Sequence, residues 1–184
     1  MFNDLLYSPG QDNLAGVIGE AYICPQADIN SVPALSAAGS LVTAAVAITN
    51  KTGKKFYRIY MTDESGKLES KAVGDRDGKA WETVFSMKYP GDDSALAQFV
   101  RDWGNTPAVL IVKDAKTGLF KLLGVTNPDN TATTLTTDIP AYFENGDISS
   151  GGKRSDSRGA TLSWKFTCAH PPITYMSTVP LTPA

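Results

Sequence analysis

"PAVLIVKDAKTGLFKLLGV", residues 107–125, decides how the rest of the chain is read. A β-branched, aliphatic run passes through a turn at "AKTG" into a second apolar run, which predicts two antiparallel strands joined as a hairpin. The stretch just before it, "PGDDSALAQFVRDWGN" (90–105), has a different period. Leu96, Phe99, Val100 and Trp103 fall at i, i+3, i+4 and i+7, one apolar stripe of a helix over about residues 92–103. Asp92, Asp93 or Ser94 caps its start, because short side-chain acceptors bind the free backbone N–H groups there. Negative charge is also favoured at that end of the helix dipole. Gly104 is expected to stop the helix in a left-handed conformation. One short amphipathic helix beside a hairpin predicts a plug laid against a β-sheet.

Outward from this centre the pattern is strand and turn. "AWETVFSMKY" (80–89) alternates Trp81, Thr83, Phe85, Met87 and Tyr89 against Glu82, Val84, Ser86 and Lys88, as a half-buried strand does. "ATLSWKFTC" (160–168) alternates Leu162, Trp164 and Phe166 against Ser163, Lys165 and Thr167. "GVIGEAYICP" (16–25), "SLVTAAVAIT" (40–49), "KKFYRIYMT" (54–62) and "TATTLTT" (131–137) are further strand candidates. In the third of these, Phe56, Arg58 and Tyr60 share one face, and Tyr57, Ile59 and Met61 the other. "DINSVPALSAAG" (28–39) reads as a turn-rich connector.

Two stretches read as long polar loops: 63–79, with the turns "ESGK" and "RDGK", and 144–159, rich in glycine and serine. Residues 1–15 form an arm, and 169–184 a proline-punctuated tail that packs extended. Seven or eight short strands that do not alternate with helices disfavour a parallel βαβ sheet. The expected fold is mainly β: an antiparallel β-sandwich or partly closed barrel with one flanking α-helix, in a single domain over 1–184.

Composition bounds function. Hydrophobic residues make up 42% and charged ones 20%, an ordinary globular balance. A net charge of −2 argues against a dedicated nucleic-acid binder. No window approaches the ~20 apolar residues of a membrane-spanning helix. The opening residues lack the basic segment and apolar run of a secretory signal, so a soluble protein made in a reducing cytosol is expected. Cys24 and Cys168 are far apart and read as two buried free thiols.

Catalytic and metal patterns fail on detail. There is one histidine, His170, before two prolines, and no G-x-S-x-G, so no serine triad is supported. "GGKR" (151–154) resembles a phosphate loop but has Asp147 where the first glycine belongs and Arg154 where Ser or Thr belongs. "DRDG" (75–78) resembles part of a calcium loop but has Ser86 in place of the bidentate glutamate. No enzyme, cofactor or metal is expected. Lys153, Arg154 and Arg158 form the densest basic cluster, either a solvated loop or a contact for a neighbour's acidic surface.

Four segments carry a family resemblance: "AGVIGEAYICPQADINSVP"; "ETVFSMKYPGDDSALAQFVRDWGNTPAVLIVKDAKTGLFKLLG"; "NPDNTATTL"; and "GGKRSDSRGATLSWKFTCAHPPITY". In order and texture, residues 13–175 resemble the tail tube (major tail) proteins of long-tailed bacteriophages, particularly those of Bacteroidetes phages and prophages. The resemblance implies a structural virion protein, assembled in the bacterial host cytoplasm. Six copies would form a ring, and rings would stack into a tube. Its partners would be itself and other tail proteins, with DNA as transient cargo rather than a bound ligand and no membrane. Loop 63–79, with Lys67, Glu69, Lys71, Asp75, Arg76 and Asp77, would make stacking or inter-subunit contacts. Loop 146–158, with Lys153, Arg154 and Arg158, would dock on an adjacent subunit. Two other readings compete: a different virion part, such as a head–tail connector or decoration protein, and a carbohydrate-binding sandwich stacking sugars on Trp81, Trp103, Trp164 and several tyrosines.

Overall fold

The apolar run at 108–112 is buried on both sides, and the rest of the chain supplies its two covers. The computed structural model describes residues 17–115, 117–150 and 158–183. Along them lie β1 (Val17–Pro25), β2 (Ile29–Ser31), β3 (Thr49–Asn50), β4 (Tyr57–Tyr60), β5 (Lys67–Val73) and β6 (Ala80–Pro90). Helix α1 (Ser94–Trp103) follows, then β7 (Ala108–Asp114), β8 (Phe120–Leu123), β9 (Tyr142–Ser149), β10 (Gly159–Cys168) and β11 (Ile173–Tyr175). The fold is mainly β, with 47% strand in three antiparallel sheets, one short α-helix and no closed barrel.

A five-stranded sheet has the order β11-β8-β7-β1-β4, and a four-stranded sheet the order β5-β6-β10-β9. β7 sends Ala108, Leu110 and Val112 to the core shared with the four-stranded sheet, where Phe85, Met87, Leu162, Trp164 and Phe166 meet them. Its alternate residues, Val109 and Ile111, enter a second core on the far face. There the cover is irregular chain: Leu35 and Ile48 from the 32–48 connector, Phe56 before β4, Val125 and Leu135 after β8, and Ile173 and Tyr175 on β11. Each large aliphatic side chain so buried contributes about 1.5–3 kcal/mol. The Tyr175 hydroxyl accepts from the Ile48 N–H at 3.0 Å and donates to the Thr178 carbonyl at 2.7 Å, tying the connector to the tail.

The expected hairpin at 107–125 is present, with Leu110 opposite Leu123 and Lys113 opposite Phe120. The helix is also where its stripe placed it. Asp93 is its cap, accepting from the Leu96 N–H at 2.9 Å, while Asp92 pairs with Arg158. Leu96 and Trp103 are buried, and Phe99 and Val100 are half-buried. The helix plugs the side of the sandwich between β4 and β9. Trp103 meets Tyr57 edge-on at 6.4 Å, and Phe99 meets Trp164 at 6.4 Å. The fully buried Trp164 also stacks on Phe85 at 6.0 Å and takes Phe143 of β9 edge-on at 5.3 Å.

Several expectations are corrected. Residues 63–79 are not one loop: 67–73 form β5, paired with β6 from Lys67↔Ser86 to Val73↔Ala80, between a turn at 63–66 and another at 74–79. Likewise 144–149 belong to β9, paired with β10. The segment 40–49 is no strand apart from Thr49 in β3; single bridges at Val42 and Thr43 anchor it to β11 and Leu35. The segment 131–137 has one bridge, Thr126↔Thr136, because its threonines serve a packed loop. Gly104 is right-handed, at φ −55°, since the chain continues through a tight turn with Thr106 bonded back to Trp103.

Two contacts join the sheets. The Val17 N–H donates to the Gly66 carbonyl at 3.2 Å, and Ala108 and Ala141 exchange bonds of 2.9 and 2.8 Å. Gly124 makes the second possible. Its φ is +83°, and a Cβ there would collide with the Ala108 carbonyl oxygen and lie 3.1 Å from the Ala141 nitrogen. Gly124→Ala is therefore expected to lower stability by at least ~2 kcal/mol, from backbone strain and the broken bridge together. Urea unfolding checks this, and an unchanged midpoint contradicts it.

Candidate interaction surface

Alternation along β6 and β10 gives the four-stranded sheet two unlike faces. The inner face is the core just described. On the outer face, register places Lys67, Glu69 and Lys71 of β5 beside Ser86, Val84 and Glu82 of β6. Across β10 these continue to Ser163, Lys165 and Thr167, then to Asn145 and Tyr142 of β9. The next row is Lys88, Thr161 and Asp147. A bulge opposite Ser163 and Trp164 brings Glu144 close enough to raise the pKa of Lys165. None of these positions is buried.

Three of the four lysines on this face are paired within it, and Lys88 has no ion pair among the described residues. Glu82 accepts from Lys71 at 2.7 Å with one oxygen and from Lys165 at 2.8 Å with the other, and its side chain is only 17% exposed. These hydrogen bonds, Lys165 first, hold the Glu82 carboxyl below its ordinary value, and the same bond raises Lys165. Lys67 reaches Glu69 at 2.8 Å. Four lysines (67, 71, 88 and 165) thus stand against four carboxylates (69, 82, 144 and 147).

The edges of the two sheets are treated differently. The outer edge of β11 is sealed by the connector, where Thr43 donates to the Thr174 carbonyl at 2.9 Å and Thr174 donates to Leu41 at 2.8 Å. β5 and β9, the margins of the four-stranded sheet, have no such cover among the described residues. The other sheet touches each only at its start, through Gly66 and Ala141. β5 is 7 residues long and β9 is 8. β5 carries two lysines and one glutamate, whereas β9 carries Glu144 and Asp147 and no cation.

Of the residues singled out from sequence, Lys67, Glu69 and Lys71 are therefore strand residues on this face. Asp75, Arg76 and Asp77 sit in the exposed β5–β6 turn, closed by Gly78 bonding back to Asp75 at 3.3 Å. Arg158 is exposed and pairs with Asp92. Lys153 and Arg154 lie outside the described residues. Glu82, Lys165, Lys88 and Asp147 were not singled out. The alternation of 80–89 and 160–168 had placed Glu82, Lys88 and Lys165 on the side away from the aromatic residues, and that was the available signal.

Elsewhere the reactive side chains serve the fold. His170 donates from Nδ1 to the Pro171 carbonyl at 2.8 Å and accepts at Nε2 from the Asn127 N–H at 3.0 Å, which pins the loop after β8. Trp103 and Trp164 are buried and offer no ring face to a sugar, whereas Trp81 is half-buried. No group of three or more metal-ligating side chains occurs among the described residues. No helix there is long and apolar enough to cross a membrane. Fold and surface together define an antiparallel β-sandwich with one open, polar sheet face, whose margins β5 and β9, like the β4 edge of the other sheet, have no backbone partner along their outer sides among the described residues. Comparison with family models, curated proteins and solved structures finds no match to this chain.

Burial, with the Asp28 charge adding to it, pushes the Cys24 thiol up to about 12, and burial also raises Cys168. The thiolate is the reactive species. Neither cysteine should react with a thiol reagent at pH 8 in the folded protein, and both should react in denaturant. Rapid labelling of the native protein, read by absorbance, contradicts this.

Proposed function

We propose that this chain is a structural virion protein whose copies join head to tail into a ring. Stacked rings then form the tail tube of a long-tailed bacteriophage, a conduit for DNA. The observation that carries the reading is the pair of unsealed margins of matched length and opposite charge on the four-stranded sheet. A free strand edge offers a row of unpaired N–H and C=O groups to another chain. A contact between two different patches of the same molecule closes into a ring or continues as a filament. With β5 of one copy against β9 of the next, the four-stranded sheets become one continuous wall, and their polar face lines its inside. The five-stranded sheet and its irregular cover then lie outside. The family resemblance over residues 13–175 supplies the ring of six and the stacking.

In this arrangement the β5–β6 turn, with Asp75, Arg76 and Asp77, projects from the end of the sheet toward a stacked ring. Lys153 and Arg154 are the candidates for docking on an adjacent subunit.

The test is assembly read by negative-stain microscopy and light scattering across salt concentration. The native protein should give rings or hollow rods. Lys67→Glu with Lys71→Glu makes both margins acidic; Glu144→Lys with Asp147→Lys makes both basic. Each double variant alone should need roughly tenfold more protein to assemble, because like charges then face each other. An equimolar mixture should recover, since every acidic margin meets a basic one. A native chain that stays a single particle at every concentration and ionic strength overturns the reading. Double variants that assemble like the native chain overturn the pairing of β5 with β9.

A further inference from the structure

We infer that Glu82 keeps the open sheet face from retaining polyanions, by cancelling two lysines that would otherwise be free to bind phosphate. The inference rests on the reading of that face as the wall of a DNA conduit. A wall over which a phosphate backbone must move cannot present many uncompensated cations, because each lysine–phosphate contact adds affinity through counterion release. Yet the face carries Lys67, Lys71, Lys88 and Lys165.

The geometry meets that requirement with one carboxylate. Glu82 lies on β6 between β5 and β10, and its two oxygens take Lys71 from one neighbouring strand and Lys165 from the other. At 17% exposure its side chain is sheltered from solvent, whereas Lys71 is 70% exposed. Water screens such a sheltered bidentate bridge less than it screens two exposed pairs. Of the remaining charged groups, Glu69 on β5 holds Lys67 and Glu144 on β9 acts on Lys165, which leaves Lys88, in the row of Asp147, as the one lysine of the face without an ion pair among the described residues.

The experiment measures anisotropy of a short fluorescein-labelled DNA duplex of arbitrary sequence with the native protein and three single variants across salt. Glu82→Gln keeps the shape and releases two lysines, so it should bind more tightly at low salt than the native protein does. Its log–log salt slope should be steeper by about 1.8, that is, two phosphate contacts. Glu69→Gln releases only Lys67 and should steepen the slope by about 0.9. It also keeps the test alive should Glu82→Gln fold poorly by circular dichroism. Asp138→Asn removes an exposed carboxylate that has no ion pair among the described residues and lies off this face, an equal change in net charge that frees no cation, and should leave binding unchanged. No gain in either face variant overturns the inference, and so does an equal gain in Asp138→Asn, which would show net charge alone at work. Microscopy of the same samples reads assembly separately. A chain that never forms rings but gains DNA affinity on Glu82→Gln overturns the conduit and keeps the role of Glu82.

Discussion

Burial of β7 on both faces is the constraint on which the remaining architecture depends. A strand whose side chains are apolar at successive positions, from Ala108 to Val112, has no side it can show to water. It must be central in its sheet, and that sheet must be covered twice. The chain meets the two demands with different materials. One cover is a second sheet plus a helix, regular structure whose own outer side is free. The other is connector, loop and tail, held by scattered side chains and by the Tyr175 hydroxyl. An irregular cover buries apolar area as well as a regular one, but it presents no edges and no repeating face. Whatever repeats between copies is therefore more readily built from the four-stranded sheet.

The same asymmetry governs the margins. The connector that covers the second core also runs past β11 and takes its free backbone groups. Among the described residues nothing comparable covers β5 or β9. The bridges between sheets at Gly66 and Ala141 lie at the residues just before β5 and β9 and leave the strands themselves open. Had these links run the length of the strands, the molecule would be a closed barrel with no margin to offer. Gly124, by allowing close approach at Ala108 and Ala141, joins the sheets there, beside the open length of β9.

How much of this was legible in the sequence follows from how many faces each strand buries. The 107–125 hairpin, the helix stripe and the alternation of 80–89 and 160–168 were readable because burial on one or both faces imposes a period. β5 and β9 were not. In β5 only Leu68 packs against the core, while the inward Ser70 and Ala72 are exposed beyond it. In β9 the inward set is Phe143, Gly146 and Ile148, too weak a pattern beside Glu144, Asn145 and Asp147. An edge strand is specified by its partner more than by its own residues, so polarity was mistaken for loop. The opposite error occurred at 40–49, where β-branched residues fill an irregular cover that needs apolar bulk without needing a ladder. The bridge through Glu82 was illegible for a third reason. It joins three strands whose neighbourhood is set by pairing order, and residues 71, 82 and 165 have no sequence relation that reveals it.

Because successive residues of β6 and β10 face opposite ways, the chain carries two messages in one stretch. Thr83, Phe85 and Met87 belong to the fold, and Glu82, Val84 and Ser86 to the surface. The two sets share a backbone but hardly share contacts, so their energetics separate: distant side chains without common partners act additively. The charges of the outer face can therefore vary with little effect on the core, provided the pairing at Glu82 is preserved or replaced in kind. The core, by contrast, tolerates little change around Trp164, where aromatic rings from β6, the helix and β9 converge. A module of this design keeps one architecture while its exposed wall is free to be tuned toward holding a charged polymer or letting it pass.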